Sequence, residues 1–102
     1  MSAKPRLCRL SPLAEADLED IWLYTLQNWS LEQADKYFAE LMAAVEGLVS
    51  GDRIGRSACD IRAGYWKYGE GRHFIFYAVT DDRLDVIRIL HKQMDVAAKF
   101  EG

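Results

Sequence analysis

Two apolar stripes at helical spacing, joined by almost no linker, restrict this chain more than any other feature. The first reads Leu18, Ile21, Trp22, Thr25, Trp29 and the second Ala34, Tyr37, Phe38, Leu41, Val45, Leu48. Both keep close to a 3.6-residue period. Ser11-Pro12 opens the first stripe, with Ser as N-cap and Pro at the first helical position. Glu15, Asp17, Glu19 and Asp20 fall in its early turns, where the helix dipole favours negative charge. Ser30 opens the second stripe, with Gln33 completing a capping box, and Gly51 supplies a left-handed C-cap. Two helices with about one residue between them must fold back on each other as a hairpin.

The remainder reads as strands. Residues 5–10 alternate charged and apolar side chains, which predicts a short strand before the hairpin. After a loop over 53–60 come three runs: Ile61 to Lys67, Arg72 to Val79 and Leu84 to Leu90. Gly69-Glu70-Gly71 and Asp81-Asp82 separate them as turns, giving an antiparallel meander. Lys92 to Phe100 reads as a short terminal helix or a frayed tail. The expected class is α+β in the order β-α-α-β-β-β, with the helical hairpin packed on one face of an antiparallel sheet and a possible short C-terminal helix. Residues 1–102 form one domain on this reading, since a chain of this length buries roughly 65% of its unfolded surface.

The sheet predicts a deficit of cover. In the middle strand Phe74, Phe76 and Ala78 share one face, and Ile75, Tyr77 and Val79 the other. The same alternation puts Val86 and Leu90 opposite Ile87 and Ile89. One hairpin covers one face. An antiparallel sheet that faces water normally carries polar residues there. Leaving three or four large side chains exposed forgoes roughly 1.5–3 kcal/mol each. The second face therefore calls for the C-terminal segment, Trp66 and Tyr68, or a partner segment.

Charge is divided unevenly. Residues 1–52 carry four basic and nine acidic side chains, whereas residues 53–92 carry eight basic and five acidic. With a net charge of −3 the chain is a poor general binder of phosphate backbones. A basic patch facing an acidic partner fits better. The longest apolar run, Phe74 to Val79, is six residues, far short of the about 20 a bilayer requires. No apolar core follows Lys4, Arg6 and Arg9, so no signal peptide is expected and the expected location is cytoplasmic. Cys8 and Cys59 lack metal-ligand spacing and read as two reduced thiols. No Gly-rich phosphate loop, Ser-His-Asp set or metal cluster is present, so neither metal nor cofactor is expected.

Several of these segments resemble the RelE/ParE toxin superfamily. Residues 10–24 carry Ala14, Asp17, Leu18, Ile21 and Tyr24 in the pattern A-x-x-D-L-x-x-I-x-x-Y. Ala34 and Tyr37 fit its second helix, and residues 60–65, Asp-Ile-Arg-Ala-Gly-Tyr, resemble an l-R-x-G-y strand. Val86 to His91, followed by Gln93-Met94-Asp95, resembles the ending I-x-R-I-L-H-x-x-x-D. The likeness covers nearly the whole chain. It implies the toxin of a type II toxin–antitoxin pair, neutralised by a ParD-like antitoxin whose flexible C-terminal segment wraps it. The target implied is DNA gyrase, inhibited by binding, with no enzymatic chemistry; operator DNA is met only through the antitoxin. On this reading Trp22, Tyr37, Arg62, Trp66, Phe74, Phe76, Val86, Arg88 and Leu90 face the antitoxin. His91, Lys92, Gln93 and Met94 face the target.

The RelE-like branch, which cuts mRNA on the ribosome, is the alternative. Its members carry a basic residue on the middle strand a few places before a Tyr, where this chain has Phe74 and Ile75, and no Arg or Tyr follows His91. A nuclease here would have to use His91 with Arg62 and Arg88 and a 2′-hydroxyl nucleophile. His73 is the other possible partner for His91. A third possibility is a toxin remnant that only binds its antitoxin. For the two arginines, internal pairing with Asp60 or Asp85 competes with binding antitoxin carboxylates. Trp22, Trp29, Tyr37 and Phe38 read first as core.

Overall fold

The computed structural model describes residues 7–100. Eight elements follow in order: β1 (Leu7–Leu10), α1 (Pro12–Asn28), α2 (Leu31–Ser50), β2 (Arg56–Ser57), β3 (Tyr65–Glu70), β4 (His73–Val79), β5 (Arg83–His91) and α3 (Val96–Lys99). Pro5 and Arg6, expected in the first strand, lie outside the described residues.

The helix ends form as their sequences dictate. Ser11 Oγ accepts the Ala14 amide and Ser30 Oγ accepts the Gln33 amide, each at 3.0 Å. Gly51 caps α2 at φ 88°. α1 and α2 fold back as a hairpin. Ala14 and Leu18 of α1 and Leu41, Ala44, Val45 and Leu48 of α2 are buried against Ile75, Tyr77, Leu84, Val86 and Ile89 of the sheet. Trp29 and Phe38 depart from expectation. They are 65% and 40% exposed, because Trp29 sits at the hairpin tip and the α2 stripe turns inward through Ala34, Leu41 and Ala44.

The sheet has five strands in the order β1-β5-β4-β3-β2. It is mixed rather than wholly antiparallel, since β1 pairs parallel to β5, Leu7 opposite Arg83 through Leu10 opposite Val86. β3, β4 and β5 form the expected antiparallel meander. Three boundaries move. β3 runs on to Glu70, so the turn before β4 is Gly71-Arg72 rather than Gly69-Glu70-Gly71. The segment expected as a loop contains β2, which pairs Arg56 with Lys67 and Ser57 with Trp66. The strand expected from Ile61 begins only at Tyr65, because Ile61 and Tyr65 donate their amides to the Ala58 and Arg62 carbonyls and turn the chain.

A bulge in β5 corrects the facial assignment. Phe76 pairs with Arg88 but Tyr77 pairs with Val86, leaving Ile87 as one extra residue. An extra residue reverses the alternation beyond it. Val86 and Ile89 therefore both face the helices, and only Leu90 joins the opposite side. The freed Ile87 carbonyl accepts the Ser11 hydroxyl at 2.6 Å, so the α1 N-cap also secures the bulge.

Past Leu10, β1 no longer covers the edge of β5. Asp17 of α1 takes its place. Its Oδ2 accepts the Ile89 amide at 2.9 Å and Arg88 Nε at 2.8 Å, and its Oδ1 accepts Arg88 Nη2 at 2.9 Å. The Arg88 guanidinium is held charged by this carboxylate, its pKa raised mainly by the hydrogen bonds to Asp17. Both cysteines are free and exposed. Among the described residues no helix is long and apolar enough to cross a membrane.

Candidate functional site: the far face and cationic edge of the sheet

The face opposite the helices carries Phe74, Phe76 and Leu90. The expectation that the chain leaves it uncovered is corrected here. Phe76 and Leu90 are 1% and 2% exposed, packed with Ala58 and closed over by Ile61, Tyr65, Val96 and Phe100. The Phe100 ring meets Phe76 edge-on at 5.3 Å and Tyr65 at 5.6 Å. Arg62 Nη2 donates to the Phe100 carbonyl at 3.1 Å and holds the segment down. The cover is thin: α3 is four residues, capped by Asp95, with none of its residues buried.

A cationic collar lies on the same side, toward the β2 edge. Lys67 Nζ sits 4.9 Å from the Phe74 ring centroid, Lys92 Nζ 5.2 Å and the Arg56 guanidinium 6.0 Å. The attraction of each cation for the ring face holds them close despite their like charge. Gly69, opposite Phe74 in the ladder, makes room for Lys92. A Cβ there would stand 3.1 Å from Lys92 Nζ and 3.5 Å from the Phe74 ring. The collar borders a shallow, open hollow of about 290 Å³, lined further by Ile54, Gly55 and Tyr68. Around the same edge Ile54 also borders an apolar groove of about 350 Å³ with Leu48, Trp66, Tyr77 and Val79.

A third cluster ties α2 to the β3–β4 turn. The Tyr37 hydroxyl accepts the Arg72 amide at 3.1 Å and lies 2.6 Å from His73 Nδ1 and 3.2 Å from the Glu70 carbonyl. Burial raises the Tyr37 pKa, so the phenol stays protonated. Burial, followed by the neighbouring His91, lowers the His73 pKa from 6.5 to about 4. His73 is therefore neutral at pH 7. The His91 ring stands 5.2 Å away at a near-perpendicular angle, and its Nδ1 accepts the Gln93 amide at 3.1 Å.

The residues expected at the antitoxin surface do not form one patch. Phe74 stands in the collar and Trp66 lines the groove at 39% exposure. Trp22 donates Nε1 to Asp35 at 3.0 Å, across the hairpin, and Tyr37 is half-buried in its hub. Val86 is sealed beneath the helices at 0% exposure, because the bulge keeps it on their side. Phe76 and Leu90 lie under the C-terminal segment, so a charge placed at Leu90 would break the fold before it reported on binding. Arg88 is paired within the chain with Asp17 rather than with Asp60 or Asp85. Arg62 lies in the turn before β3, over the Tyr65 ring. Of the residues expected to face the target, Lys92 joins the collar, while Gln93 and Met94 are exposed just past β5. Sequence reasoning missed Arg56 and Lys67 as site residues. Their basic charge was visible, but their pairing depends on β2. Among the described residues no group of three or more His, Cys, Asp or Glu could hold a metal ion.

Comparison with known proteins agrees with this architecture. Residues 8–96 match the family described as ParE toxin of the type II toxin–antitoxin system parDE. Toxin ParE1 of Mycobacterium tuberculosis is 46% identical over 88 residues, spanning 85% of this chain and 90% of the relative. Toxin ParE1 of Caulobacter vibrioides is 42% identical over 90 residues, spanning 88% and 93%. Among solved structures, a chain of the chromosomal ParDE system of P. aeruginosa shares the fold with a TM-score of 0.71 at 20% identity, over 85% of this chain and 96% of that one. A chain of the RelBE2 toxin–antitoxin complex of M. tuberculosis follows with a TM-score of 0.65 at 18% identity, over 88% and 94%. The fold this chain shares with those two solved chains is, here, a helical hairpin on a meander sheet closed at one edge by a parallel first strand. This chain belongs to the ParE toxin family of type II toxin–antitoxin systems.

Proposed function

We propose that the chain is a cytoplasmic toxin, acting as a single domain, that inhibits DNA gyrase by binding it and is neutralised by a ParD-like antitoxin, through which alone it meets operator DNA. The observation that carries binding over catalysis is the commitment of every group a nuclease would need beside His91. Arg88 is locked on Asp17. Arg62 holds the Phe100 carbonyl on the far face. His73, with a pKa pressed to about 4, is a neutral imidazole at pH 7 and cannot serve as the general acid, and its Nδ1 is engaged by the Tyr37 hydroxyl. What remains accessible suits recognition of protein: an apolar groove, a cationic collar and a thinly covered sheet face. The similar ParDE and RelBE2 chains come from toxin–antitoxin systems, which supports an antitoxin partner.

The test compares two assays on the same purified protein. Gyrase supercoiling should be lost while mRNA in a translation extract stays intact. Cleaved mRNA with normal supercoiling would replace this reading with the RelE-type nuclease.

A further inference from the structure

We propose that the collar of Arg56, Lys67 and Lys92 around Phe74 is the receiving site for a carboxylate-rich segment of the antitoxin, anchored by an apolar side chain in the groove across Ile54. This rests on the toxin–antitoxin reading and gives its partner a place and a chemistry.

The collar is unusual in its charge balance. Arg56 and Lys67 are directly opposite in the β2–β3 ladder, where like charges repel. Among the described residues none of the three cations meets a carboxylate; the ion pairs there are Arg53–Glu70, Arg83–Asp85 and Arg88–Asp17. The Phe74 ring offsets only part of that repulsion. An incoming anion would relieve the rest. Gly69 leaves the space over the ring that Lys92 occupies, so the third charge can join the other two.

The choice between protein and nucleic acid follows from the surroundings. A hollow of about 290 Å³ accommodates one or two carboxylate side chains. An adjoining groove of about 350 Å³, bordered by Ile54 at 80% exposure and Trp66 at 39%, asks for an aliphatic or aromatic side chain. An amphipathic acidic peptide offers both groups, and a phosphate backbone offers only charge. The net charge of −3 also opposes a polyanion that must follow the surface beyond the collar.

The full chain is titrated with a fluorescein-labelled Glu/Leu peptide, its Gln/Leu counterpart, a single-stranded oligonucleotide and inorganic phosphate. The Glu/Leu peptide should bind and weaken with salt, and the Gln/Leu peptide should bind far less. K67Q/K92Q and, separately, R56Q should each reduce affinity by about tenfold or more, while K36Q on α2 changes nothing. Circular dichroism verifies that each variant is folded. Unchanged peptide affinity in the folded variants overturns the proposal, as does tighter binding of oligonucleotide or phosphate than of peptide. A chain that arrests growth yet ignores the peptide defeats this inference alone. A chain that captures the peptide without arresting growth defeats the toxin reading alone.

Discussion

Replacing Asp17 with alanine should be the most damaging single polar substitution at the sheet edge. The carboxylate accepts two bonds from Arg88 and one from the Ile89 amide. Its removal strands a guanidinium whose side chain is only 15% exposed. Breaking a buried pair from one side costs about 3–5 kcal/mol, and some solvent access argues for the lower end. The orphaned Ile89 amide adds about 1 kcal/mol. An expected loss of about 3–4 kcal/mol lowers Tm by roughly 12–25 °C at this chain length. R88A should cost less, about 1–2 kcal/mol, because Asp17 keeps the Ile89 amide and the space left by the guanidinium lets water reach its other oxygen. Urea unfolding of D17A, R88A and the double variant gives both numbers and the coupling between them. Equal costs for the two single variants, or less than about 1 kcal/mol for D17A, would refute the idea that Asp17 substitutes for a missing strand.

Three further outcomes are expected. His73 carries a folded-state pKa below its ordinary 6.5, so between pH 6.5 and about 4 the unfolded chain binds a proton that the folded chain excludes. Stability is complete above pH 6.5 and falls as pH drops through that window, by about 1–2 kcal/mol after allowance for the ring's partial exposure; urea midpoints against pH should show the slope, and H73Q should flatten it. F100A should cost about 1–2 kcal/mol and let a hydrophobic dye reach the Phe76 face, read by unfolding and dye fluorescence. Y37F removes the hydroxyl that takes the Arg72 amide and meets His73, costing about 1–2 kcal/mol, with faster amide exchange at Arg72 as the local signature.

The helical hairpin was legible because its signals are local. Ser11-Pro12, Ser30 and Gly51 each act within one helical turn, and each caps where expected. The β4 alternation was equally plain, and Ile75 and Tyr77 do face away from Phe74 and Phe76. What escaped depends on groups far apart in sequence. Asp17 read as a favourable charge near a helix start, yet its partners lie 71 and 72 residues away. The bulge at Ile87 leaves no mark in the run Val86 to Leu90, apolar except for Arg88, and it reversed the facing of Ile89 and Leu90 relative to Val86. β2 is two residues without apolar alternation, so Arg56 and Lys67 could not be brought together from sequence. The supposed shortage of cover failed because Val96 and Phe100, distant from the hairpin, close the second face.

Expression of the chain in bacterial cells, alone and together with a ParD-like antitoxin, tests the central claim most directly. The account predicts arrest by the chain alone, and recovery when the two proteins co-purify as one complex. Unimpeded growth with the folded chain present, or arrest that persists with the complex fully formed, would contradict it.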